Sequence, residues 1–66
     1  MTVNNTLIRN VNITDQDGFY AALLAVHKGL TETESHALNA RLVLILANHI
    51  GSAPVLHAAL DLARQG

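Results

Sequence analysis

Six consecutive apolar residues, Leu42-Val43-Leu44-Ile45-Leu46-Ala47, lie inside a stretch of helical character. A helix made from them keeps almost no side for water, because six residues at about 100° each pass through more than a full turn. The chain around them is only 66 residues long. Domains shorter than roughly 70–80 residues ordinarily depend on disulfides, a metal, a partner subunit or unusually good helix packing. The chain has no cysteine and no recognisable metal-ligand motif, so another chain is the expected support.

Half the residues are apolar and 14% are charged, the profile of a folding sequence and not of a disordered one. Four Lys and Arg residues, Arg9, Lys28, Arg41 and Arg64, against a net charge of -1 form no basic stripe that would neutralise phosphates. Nucleic-acid binding driven by charge is therefore disfavoured. No apolar run approaches the roughly 20 residues of a membrane span, and no basic stretch followed by an apolar segment opens the chain. The expectation is a cytoplasmic protein with no membrane partner and no nucleic-acid partner.

Residues 1–13 differ from the rest. They are rich in Asn, Thr, Val and Ile, and Val11-Asn12-Ile13 alternates as an extended segment does. They are expected to form an extended or disordered N-terminal arm, which Leu7, Ile8, Val11 and Ile13 can dock on the helical body or on a neighbouring subunit.

Residues 14–66 carry the punctuation of three helices. Thr14 or Asp15 caps the first, and Lys28-Gly29 ends it near residue 28. Thr31 and Glu34 have capping-box spacing, so the second helix starts near Glu32 and runs to Gly51. Ser52 caps a third, with Pro54 tolerated in its first turn, ending near Gln65. Short links make consecutive helices neighbours. The fold class is all-α, a small three-helix unit associating as a helical homo-oligomer.

On the first helix Phe19, Leu23 and Val26, continued by Leu30, form one stripe. On the third, Leu56, Ala59, Leu60 and Ala63 are expected inward, with Val55 and Leu62 on another flank. The second helix is two-faced: Leu38, Leu42, Ile45 and His49 share one side, and Ala40, Val43, Ala47 and Ile50 a second, about 140° away. The first side suits the other helices of the chain. The second is the candidate subunit interface, with small Ala40 and Ala47 admitting close helix approach, and a two-fold homodimer is the first expectation.

The polar residues suggest less. His27, His36, His49 and His57 include no pair spaced as metal ligands on one helix face, and no HExxH occurs; neither a metal nor a cofactor is expected. Ser52 lies near His49 and His57, but no nucleophile elbow or oxyanion donor set is recognisable, so the chain is not expected to be an enzyme. Arg41 and Asn48, two turns apart on one side, can hold a carboxylate, a backbone segment or a partner chain, and with His49 and His57 they make up the candidate ligand or partner contacts. Asn39 suits either a register-fixing buried position or plain exposure. A helix-turn-helix reading of the link near Gly51 meets His57 where an apolar residue is wanted, and Asp61 on its recognition helix.

The segments Asp17-Gly18-Phe19-Tyr20-Ala21-Ala22-Leu23-Leu24 and Leu38-Asn39-Ala40-Arg41-Leu42-Val43-Leu44-Ile45-Leu46-Ala47-Asn48-His49-Ile50-Gly51 resemble a short bacterial family of unknown function, domain of unknown function 2783, from about Ile13 onward. The resemblance brings no activity. It implies a small companion of flavin-dependent hydroxylases or hydrolases of aromatic-compound breakdown, hence an accessory role. The expected function is that of a non-catalytic helical interaction protein that self-associates or serves a larger enzyme as an accessory subunit. The alternative is a small-ligand or metal-binding protein whose site forms between subunits, and a DNA-binding regulator comes behind both.

Overall fold

The computed structural model describes residues 6–66 and places three helices in them: α1 over Gln16–His27, α2 over Glu32–Ile50 and α3 over Ala53–Gln65. No strand occurs among the described residues. The part of the expected arm over residues 1–5 lies outside them.

Each helix begins where a side chain can satisfy an orphan amide. The Asp15 carboxylate accepts from the Gly18 amide at 3.0 Å and starts α1. The absence of a side chain at residue 18 matters there, since a Cβ would run into the Asp15 carboxylate that holds the cap. At α2 the capping box is complete: the Glu34 amide donates to Thr31 Oγ1 at 3.2 Å, and the Thr31 amide donates to Glu34 Oε1 at 2.9 Å. These reciprocal bonds pair two of the four amides a helix start leaves free. Ser52 Oγ accepts from the Val55 amide at 3.4 Å at the head of α3, with Pro54 in the first turn.

Gly51 separates α2 from α3 in the left-handed conformation, φ 73°, and its amide donates to the Ala47 carbonyl at 2.9 Å. Only glycine takes that conformation without a Cβ penalty. The chain leaves it directly into Ser52, which turns α3 back on α2. These two helices make the principal interhelical contact.

What the fold lacks is an interior. Val55 is the one buried residue among those described, at 9% exposure. The chain exposes 5943 Å², where a compact monomer of its mass would expose roughly 4,100 Å². Its radius of gyration is 13.8 Å against about 11 Å for a compact domain of this length.

The burial pattern corrects two expectations. On α3 the residues turned inward are buried Val55 and half-buried Leu56, Ala58 and Ala59, while Leu60 is 64% exposed and Leu62 and Ala63 are open. The turn at Gly51 sets this rotation, turning Val55 inward in place of Leu60. On α2, Leu38 and Leu42 are half-buried, but Ile45 and His49 on the same side are exposed. Neither α1 nor α3 covers that C-terminal part of the side.

Candidate functional site

The second half of α2 is the surface with the most to explain. Val43, Leu44 and Ile45 are 59%, 69% and 63% exposed, and Leu46 and Ile50 are also open. Three consecutive helical residues span about 200°, so the exposure surrounds most of the helix. An exposed apolar surface of this kind is unusual for a small protein on its own.

The sides of α2 that the chain covers itself are narrow. Half-buried Ser35, Leu38 and Leu42 form one strip, and half-buried Ala47 stands roughly opposite it. Of the four candidate interface residues, Ala40, Val43 and Ile50 are exposed and Ala47 is half-buried. Between the strips two sectors remain open. One carries Asn39, Val43, Leu46 and Ile50; the other carries Ala37, Arg41, Leu44, Ile45 and Asn48.

Asn39 belongs to the link between α1 and α2. His27 Nε2 donates to Asn39 Oδ1 at 3.0 Å, with the Nε2–H tautomer assigned by this bond. Asn39 is exposed and engaged within its own chain. The spacing of twelve residues across a turn gave no local sequence signal for this contact.

Arg41, Asn48, His49 and His57 are all exposed. Arg41 rims a shallow groove of about 270 Å³ with Val26 of α1 and Leu38, Leu42 and Ile45 of α2. His49 and His57 stand on opposite sides of the turn at Gly51 and Ser52. Among the described residues no group of three His, Cys, Asp or Glu side chains lies close enough to hold a metal ion. His36 Nε2 stands 3.9 Å from Glu32 Oε1 one turn earlier, on solvent-exposed side chains, where an ion pair contributes little.

The carboxyl of Glu34 is held below its ordinary value, first by the hydrogen bond from the Thr31 amide and then by the Thr31 side chain. A bond to the charged form explains the direction, and its role is that of a helix cap.

The arm meets the body at α3. Leu7 is half-buried, and Thr6, Leu7 and Arg9 line an open cleft of about 430 Å³ with Ala58, Asp61, Leu62 and Gln65. Ile8, Val11 and Ile13 remain exposed. The arm therefore meets α3 through Leu7, while Ile8, Val11 and Ile13 face outward. No described helix is long and apolar enough to cross a membrane.

A family model described as "Protein of unknown function (DUF2783)" matches residues 7–65. No curated protein and no solved structure matches the chain.

Proposed function

The chain belongs to the DUF2783 family, whose function is unknown, and we propose that it is a non-catalytic helical interaction protein that associates with copies of itself through α2. One observation carries this reading: Val43, Leu44 and Ile45, central in the longest helix, are each more than half exposed. Leaving such side chains in water forgoes about 1.5–3 kcal/mol apiece relative to full burial.

A larger enzyme that the chain accompanies would use the same surface, since an accessory subunit needs an apolar contact of its own. Its apolar exposure is high for a free monomer and ordinary for a subunit whose interface is undocked.

The test is a gentle affinity pull-down of the tagged chain from its native host, with native mass spectrometry of the eluate. Copies of the chain in a fixed small number support self-association. One larger enzyme in fixed ratio assigns the accessory role. A bare monomer with no companion overturns both.

A further inference from the structure

Resting on that reading, we infer that two copies meet along an antiparallel seam of α2 helices, with Leu44 and Ile45 at its centre and Arg41 of each copy opposite Asn48 of the partner subunit. Of the two open sectors of α2, the one holding Arg41, Leu44, Ile45 and Asn48 is the more exposed. It includes the two most exposed large apolar residues of that helix, Leu44 and Ile45. The other sector is partly occupied by Asn39, bonded to His27 of α1.

The order of residues within the sector makes it self-complementary. A two-fold axis passing between residues 44 and 45 sets Leu44 beside Leu44 of the partner subunit on one flank of the seam and Ile45 beside Ile45 of the partner subunit on the other. The same axis sets Arg41 and Asn48, which lie near the centre line of the sector, against Asn48 and Arg41 of the partner subunit, once at each end. Guanidinium has only donors and the Asn carboxamide offers an acceptor oxygen, so the ends match while the centre is apolar. An apolar centre with a polar rim is the ordinary anatomy of a specific interface. A parallel, in-register pair would instead set Arg41 beside Arg41, and align both helix dipoles unfavourably.

The surface area fits a second copy of the chain. Each chain exposes about 1,800 Å² more than a compact monomer of its mass. Two chains together therefore hold surplus surface, spread over the arm and all three helices, above the roughly 1,200–2,000 Å² that a stable interface buries in total. The open sector supplies the most exposed apolar part of α2.

Cysteine cross-linking tests the seam without background, because the chain has no cysteine. Arg41→Cys and Asn48→Cys are made separately, mixed, and oxidised; Val43→Cys mixed with Leu46→Cys probes the other sector. Residues 41 and 48 of one helix are about 10 Å apart along its axis, beyond disulfide reach. The seam predicts a covalent dimer joining residue 41 of one chain to residue 48 of the other, in yield several-fold above that from either variant alone. Cross-linking of Arg41→Cys with itself in equal yield indicates a parallel pair and overturns the proposal. Dominant linkage through residues 43 and 46 moves the contact to the other sector, which overturns the seam but leaves self-association standing. A parent chain that sediments as a monomer removes both.

Discussion

His27 Nε2 donates a 3.0 Å hydrogen bond to Asn39 Oδ1, joining the last residue of α1 to the second turn of α2. The pair is exposed, so water competes for both partners and its net worth lies at the low end of the usual 0.5–1.5 kcal/mol. Its use is geometric: it ties the end of α1 to α2.

A double-mutant cycle with His27→Ala and Asn39→Ala, read by urea unfolding, should therefore give a coupling of about 0.5 kcal/mol. A coupling indistinguishable from zero would mean that the bond does not tie α1 to α2.

Acid should weaken the start of α2 through Glu34. Its folded value lies below the unfolded one because the charged carboxylate accepts from the Thr31 amide. The sign follows from linkage: the contribution is complete above the ordinary value of 4.5 and fades as pH falls through the lower folded value. Far-UV circular dichroism between neutral pH and strong acid should show a loss of helix in that window. Glu34→Gln should lose much of that step, and an unaltered acid profile in Glu34→Gln contradicts the cap.

Gly51 and Val55 are the positions where a single change should cost most. Gly51→Ala forces a Cβ into the left-handed region, at about 1–2 kcal/mol. Val55→Ala strips two methyl groups from the one buried side chain among the described residues, at about 2 kcal/mol with its cavity. Thermal unfolding measures both; losses under about 0.5 kcal/mol would show that the turn and the small α2–α3 contact do not hold the hairpin.

The local punctuation was legible before the fold. Asp15, Thr31 with Glu34, Ser52 and Gly51 announce their helix ends because caps act within three or four residues, and the observed boundaries fall within a residue or so of those expected. The rotation of α3 was not legible, since Val55 and Leu60 are both apolar and only the path out of Gly51 decides which turns inward. The contact of His27 with Asn39 was hidden for the same reason: it depends on how two helices cross. On α2 the sequence identified an excess of apolar surface but divided it differently. The half-buried position of Ala47 and the wide exposure of Leu44 and Ile45 depend on how little of α2 the other helices reach.

Ile45→Asp separates folding from association. Because Ile45 is already exposed in the single chain, the change should alter the stability of the monomer by no more than about 0.5 kcal/mol. In an interface it places a carboxylate among the apolar side chains at the centre of the seam, and the dimer dissociation constant should rise at least about 100-fold. Size-exclusion chromatography with light scattering reads this directly, and an unchanged dimer would place Ile45 outside the contact.

Sedimentation equilibrium of the purified chain over a wide concentration range, with helicity followed on the same samples, tests most directly whether a second copy covers α2. The account predicts twice the 7.1 kDa chain mass at high concentration, with helix content falling as dilution separates the subunits. A particle of one chain mass, equally helical at every concentration, would contradict it.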